Sequence, residues 1–158
     1  FAHRDNFGLP FTVLRYFSVY GPGHRPDMAY HRFLAAARDG TPVTVYGDGE
    51  QRRTNTYVDD CVDGTILAIE KAEIGEIYNL SGTESFSLND SLALIEEISG
   101  RSLDIHFEPA RAGDQRETRG AIKKAQSALN YSPAWSLRDG LRAEWDWIKD
   151  LPRDFQRS

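Results

Sequence analysis

Three arginines, Arg25, Arg53 and Arg111, stand in three separate irregular stretches of the chain, 18–27, 47–58 and 109–120. A guanidinium grips phosphate through two parallel N–H donors, and a diphosphate needs more than one such fork. If the three stretches are loops at one end of a parallel sheet, they can converge on one anion; on spacing alone, solvated surface arginines remain the other reading. The stretch VYGDGEQRRTNTYVDD (45–60) also holds a glycine pair and an acid pair. GDG lacks the Lys and Ser or Thr of a phosphate-binding P-loop and the three glycines of a dinucleotide fingerprint, so it reads as a turn. Asp59 and Asp60 fall where a helix should start and read as caps rather than as a general acid and base. Asp114 lies beside Arg111 with no helix to cap. Tyr16 and Tyr46, at strand ends, can stack on a ring or simply pack at a rim. His3, His24, His31 and His106 are scattered without metal-ligand spacing, and no G-x-S-x-G elbow occurs, so neither a metal site nor a hydrolase triad is expected.

The elements that must position these side chains alternate between strand and helix. PFTVLRYFSVY (10–20) is rich in β-branched and aromatic residues and reads as one buried parallel strand. Asp27 is the expected cap of a helix with Tyr30, Phe33, Leu34 and Ala37 inward, closed by Gly40. Val43 to Tyr46 is a short strand. A helix from Asp59 is expected to turn Val62, Ile66 and Ile69 inward. Glu76 to Leu80 and Leu103 to Phe107 are further strands. Ser87 with Asp90 makes a capping box for a helix with Leu88, Leu92, Ile95 and Ile98 inward. Ala121 to Leu129 is a short helix, and Ser136 with Asp139 starts a last one bearing Leu137, Leu141, Trp145 and Ile148. The fold class is therefore α/β with parallel pairing, and ligands gather at the loops beyond the strand ends of such sheets.

Bulk properties restrict the partners. The chain has 158 residues, 40% hydrophobic and 27% charged, with a formal net charge of −5 spread over both halves. That balance suits a packed globular chain and offers no basic face for nucleic acid. No apolar run approaches the ~20 residues that span a bilayer. Cys61, the single cysteine, cannot form an internal disulfide, so an oxidising compartment is not called for and the cytoplasm is the expected location. Phe1 to Phe7 resembles the last turns of a helix stopped by Gly8, and the expectation is a C-terminal fragment of a longer protein.

LRYFSVYGPGHRPDMAYHRFL, VTVYGDGEQRRTNTYVDDCVDG, GEIYNLSG and RAGDQRETRGAIKKAQSALNYSPAWSLRDGL, in that order, resemble the C-terminal half of the extended short-chain dehydrogenase/reductases, and within them the NAD-dependent nucleotide-sugar epimerases and dehydratases. The resemblance covers nearly the whole chain. It implies the end of a Rossmann-like parallel sheet plus the smaller α/β substrate-binding domain over residues 1–158. It also implies a 4-epimerase acting on a UDP-sugar, in which carbon 4 is transiently oxidised by bound NAD and re-reduced. A 4,6-dehydratase or decarboxylase of the same family, or a non-catalytic nucleotide-binding module, stands as the alternative.

In that family a glycine-rich turn and a Tyr-x-x-x-Lys pair carry the cofactor and the acid/base chemistry, and neither occurs in this chain. No catalytic residue is therefore expected here. The resemblance assigns Phe17 and Val19 to the nicotinamide end and Ser18 to the sugar. It assigns Tyr46 to the uracil side, Arg53 and Arg111 to the diphosphate, and Asp114 to the ribose, leaving Arg52 solvated. RPDMA (25–29) is similar to the loop of UDP-glucuronate epimerases and puts Arg25 near a 6-carboxylate. Thr54 and Asn55 depart from the Asp and aromatic that the family usually has after the first arginine. The family also implies a homodimer of the complete protein, no membrane and no nucleic acid. The fragment alone is expected to be inactive and poorly stable, with an exposed apolar patch on Phe11 to Leu14.

Overall fold

The structure, a computed structural model, describes residues 2–152 and Phe155. The described elements are, in chain order, α1 (Ala2–Phe7), β1 (Val13–Tyr16), β2 (Val19–Tyr20), α2 (Ala29–Asp39), β3 (Val43–Tyr46), β4 (Arg52–Thr54), β5 (Thr56–Tyr57) and α3 (Val58–Lys71). They continue with β6 (Ile77–Leu80), β7 (Ser85–Ser87), α4 (Leu88–Ser99), β8 (Ile105–Glu108), β9 (Glu117–Thr118), α5 (Lys123–Leu129) and α6 (Leu137–Ile148). They fall into two compact units, each assembled from three stretches of chain.

The first unit takes the chain up to Val19, then Thr54–Glu84 and Arg119–Trp135. Its frame is the parallel pair β1 and β6, in register from Val13 opposite Ile77 to Tyr16 opposite Leu80. Side chains alternate across a strand, so Tyr78 and Leu80 of β6 share a face; they are buried with Ala68, Ile122, Ala125, Leu129 and Tyr131 from α3, α5 and the turn after it. The packing of α3 reverses the expectation. Its buried residues are Asp60, Gly64 and Ala68, while Val62, Ile66 and Ile69 are 50%, 49% and 82% exposed. The reason is distance: a Cβ at Gly64 would stand 2.9 Å from both Leu80 Cδ1 and Tyr131 Cε2. Only the small-residue face of the helix can come that close.

Two further expectations change in this unit. Residues 10–20 are not one strand, because Ser18 takes φ 36° and divides the segment into β1 and β2. Phe11 to Leu14 are half-buried rather than an exposed patch, the exposed apolar surface lying instead on α3 and on Phe7, Leu9 and Ile74.

The second unit takes Tyr20–Arg53, Ser85–Thr118 and the chain from Ser136 onward. Helices α2, α4 and α6 pack mutually and bury Phe33, Leu34, Leu92, Ile95, Leu141 and Ile148. Alongside them β3 runs parallel to β8, from Val43 opposite Ile105 to Tyr46 opposite Glu108, and β4 lies between β7 and β9. The capping box of α4 is formed: Ser87 Oγ accepts from Asp90 N–H at 3.0 Å and the Asp90 carboxylate accepts from Ser87 N–H at 3.0 Å. Ser136 caps α6 in the same sense. Asp27 does not cap α2, whose N-cap is Met28 with no side-chain bond; Asp27 is drawn instead to Arg25.

Candidate functional site

In the second unit the strand ends bring four of the expected residues together. Tyr46 closes β3 and Arg53 lies in β4, while Arg111 and Asp114 belong to the loop that leaves β8. The Asp114 N–H donates to the Arg111 carbonyl at 3.2 Å, closing a turn. Arg53 reaches into that turn, donating to Asp114 Oδ1 at 2.8 Å, to the Gln115 carbonyl at 2.7 Å and to the Arg52 carbonyl at 2.9 Å. The Arg111 guanidinium lies over the Tyr46 ring, 3.6 Å from its centroid. Asp114 is thus a partner of Arg53, and Tyr46 is the platform of Arg111.

The GDG turn is held from two sides. Arg116 donates to both Asp48 carboxylate oxygens, at 2.7 and 2.9 Å, and this pairing holds the Asp48 carboxyl below its usual range. Asn89 at the start of α4 donates to the Asp48 carbonyl at 3.0 Å and to Glu50 at 2.7 Å. Gly49, at φ 76°, leaves the space that the Asn89 amide fills. GDG is a turn, as its composition suggests. Arg52 keeps a side chain 41% exposed, and it also ties to the Ser85 carbonyl and, at 3.7 Å, to Asp90.

Arg25 does not join Arg53 and Arg111 in this hydrogen-bonded cluster; its bonds run to Asp27 and the Met28 sulfur, within its own loop, and its side chain is 74% exposed. That loop is fastened at its other end by Glu144, which sequence reasoning passed over. Glu144 of α6, fully buried, accepts from Gly21 N–H at 3.1 Å and from His24 Nδ1 at 2.9 Å. The signal was present in the spacing, since Leu137, Leu141, Glu144 and Ile148 share one helix face and a carboxylate stands where an apolar residue is expected.

In the first unit, Phe17, Ser18 and Val19 follow the carboxyl end of β1. A non-glycine residue at positive φ is strained and persists only where its surroundings over-determine it. Thr56, fully buried, supplies that constraint: its Oγ1 donates to the Phe17 carbonyl at 2.6 Å and its N–H to the Ser18 carbonyl at 3.3 Å. Phe17 N–H in turn donates to the Leu80 carbonyl at 3.2 Å. The outcome is two half-buried apolar side chains, Phe17 and Val19, flanking an exposed Ser18 at the carboxyl end of parallel strands.

Asp60 is no cap: the N-cap of α3 is Tyr57, and the Asp60 carboxylate accepts from Ala134 and Trp135 N–H at 2.8 and 3.2 Å. Its burial lifts the carboxyl above its usual range, and those two N–H groups draw it back. Among the described residues no three His, Cys, Asp or Glu side chains gather to hold a metal ion, and no helix is long and apolar enough to cross a membrane.

A parallel α/β frame with polar side chains gathered at its strand ends defines the class of sheets that take ligands there. The profile of the NAD dependent epimerase/dehydratase family matches residues 1–81, and the chain belongs to that family. It is 43% identical over 151 residues to the uncharacterized UDP-glucose epimerase YtcB of Bacillus subtilis, covering 95% of this chain and 48% of that protein. It is 34% identical over 151 residues to a UDP-glucuronate 4-epimerase of Thermodesulfobacterium geofontis, covering 95% of this chain and 46% of that one. The UDP-glucuronic acid 4-epimerase of Bacillus cereus, solved with UDP-glucuronic acid and NAD, superposes with a TM-score of 0.91 at 45% identity, over 96% of this chain and 49% of the other. The chain spans about half the length of the relatives it matches.

Proposed function

We propose that this chain is the nucleotide-sugar-binding half of an NAD-dependent UDP-sugar 4-epimerase, with UDP-glucuronate as the favoured substrate and UDP-glucose as its neutral counterpart. The observation that carries the reading is the cluster of Arg53, Asp114, Arg111 and Tyr46, two guanidinium groups already oriented at the end of parallel strands. Arg53 and Arg111 neutralise the diphosphate; Tyr46 borders the uracil and Asp114 the ribose. Ser18 faces the sugar, and Arg25 receives a 6-carboxylate as a guanidinium receives any carboxylate. A family in which relatives are named for UDP-glucuronate supports that preference.

Phe17 and Val19 offer apolar contact that fits the nicotinamide end of NAD, and no dinucleotide glycine pattern occurs in this chain. The remainder of the cofactor site and the acid/base pair belong, in this reading, to an N-terminal half of the complete protein. Bound NAD would supply reversible hydride acceptance at sugar carbon 4. The residues of this chain bind and orient the nucleotide, offset its charge and hold the sugar end. A cytoplasmic enzyme working as a homodimer, without nucleic acid, completes the proposal.

Titration of UDP into the complete protein tests the site. Arg53→Ala and Arg111→Ala are each expected to weaken binding by about 1.5–3 kcal/mol, the range for a hydrogen bond to a charged group. Unchanged affinity in both variants would remove the diphosphate assignment.

A further inference from the structure

The residue that fastens the 21–28 loop is a carboxylate in a helix core. Glu144 has 0% exposure and lies on the face of α6 that also buries Leu141 and Ile148. Burying a carboxylate costs several kcal/mol unless its charge is matched, and burial does lift the Glu144 carboxyl above its usual range. An apolar side chain there would give the packing without that cost.

Both oxygens instead point to one segment. Oε2 takes the Gly21 N–H and Oε1 takes His24 Nδ1. His24 is 10% exposed at its side chain, and its Nε2 is buried without a partner among the described residues, so the ring is held through Nδ1. Beyond His24 the loop makes a further turn, with Met28 N–H donating to the Arg25 carbonyl at 3.1 Å. Arg25 is the first residue after this anchor, and its side chain is the exposed one.

We propose that Glu144, acting through His24, is a positioning residue that sets Arg25 for the sugar end of the substrate. The proposal rests on the reading that Arg25 meets the sugar carboxylate. Glu144 touches no substrate; it fixes the backbone from which the guanidinium projects.

The test uses the complete protein with UDP-glucuronate, UDP-glucose and UDP, comparing Glu144→Gln, His24→Ala and Arg25→Ala singly and in pairs. Glu144→Gln and His24→Ala are each expected to raise KM for UDP-glucuronate of order tenfold, since a misplacement of about 1 Å can cost up to a hundredfold. They should leave UDP affinity and the KM for UDP-glucose near wild type. Neither should add to the effect of Arg25→Ala, because all three act on one group.

Reading KM at a temperature where each variant is fully folded separates positioning from stability: Glu144→Leu, which leaves the Gly21 N–H and His24 Nδ1 without their acceptor, should unfold below wild type and, while folded, still show the raised KM. If Arg25→Ala raises KM for UDP-glucuronate while the Glu144 and His24 variants do not, the positioning role is wrong and the reading of Arg25 stands. If Arg25→Ala has no effect, the reading fails and the positioning role with it. Should Glu144→Gln fail to fold, His24→Ala decides by the same two criteria.

Discussion

Arg53 and Arg111 meet an incoming anion in different states. Arg53 is committed to Asp114 and two carbonyls, whereas Arg111 is held by a ring face, which directs the guanidinium without consuming its donors. Tyr46 therefore has a role that can be separated from any contact with the base. A cation–π contact at an exposed site contributes about 0.5–1 kcal/mol. Tyr46→Leu should accordingly weaken UDP binding about two- to fivefold, and Tyr46→Phe, which keeps the ring, should not. Combined with Arg111→Ala, Tyr46→Leu should add little, and calorimetric titration of the four proteins reads the coupling. Additive losses would show Tyr46 acting independently of Arg111. At this scale the sequence singled out Arg53, Arg111, Tyr46 and Asp114, which the fold gathers at strand ends, and Arg25, which it leaves bonded within its own loop. It gave no sign that the partly exposed Arg52 would also tie β4 to Ser85 and Asp90, or that Asp114 would pair with Arg53 across sixty-one positions.

The helices show which signals survive folding. Local ones do: the capping box at Ser87 and the cap at Ser136 depend only on residues three apart, and both form. Ser87→Ala should cost about 1 kcal/mol of stability, read as a lower denaturant midpoint with an unchanged slope. The Ser87 N–H holds the Asp90 carboxyl below its usual range, followed by the Ser87 hydroxyl. A depressed carboxylate contributes stability that is present above the ordinary aspartate value of about 3.9 and lost as pH falls through the folded one. The protection of the Ser87 amide against hydrogen exchange, taken relative to the intrinsic rate at each pH, should fall in that acid window and hold above it. Non-local signals do not survive in the same way. The spacing of Val62, Ile66 and Ile69 defines a helix face but cannot say which face a strand pair admits, and Gly64 settles it in favour of the other. Gly64→Ala should therefore cost about 1–3 kcal/mol by overpacking against Leu80 and Tyr131, measured by thermal or denaturant unfolding. The two- and three-residue strands β4, β5, β7 and β9 were not legible at all, since so few residues carry no periodicity and their partners lie far along the chain.

For the whole molecule, alternation of strand and helix indicated the α/β class, and four motifs in fixed order indicated the family, which the match over residues 1–81 establishes. The exposed stripe on α3 bears on the rest of the proposal. Contiguous apolar surface on a folded chain marks an interaction site or an aggregation liability, and a chain spanning about half of its relatives' length has a natural cover in the proposed N-terminal half. The central claim, a UDP-sugar 4-epimerase that returns its hydride, is tested most directly by following UDP-glucuronate by proton NMR in the presence of the complete protein and NAD. The account predicts the carbon-4 epimer of UDP-glucuronate at equilibrium, with the 6-carboxylate retained and no lasting accumulation of NADH. Unchanged UDP-glucuronate, or a product that has lost carbon dioxide or kept a 4-keto group, would contradict it.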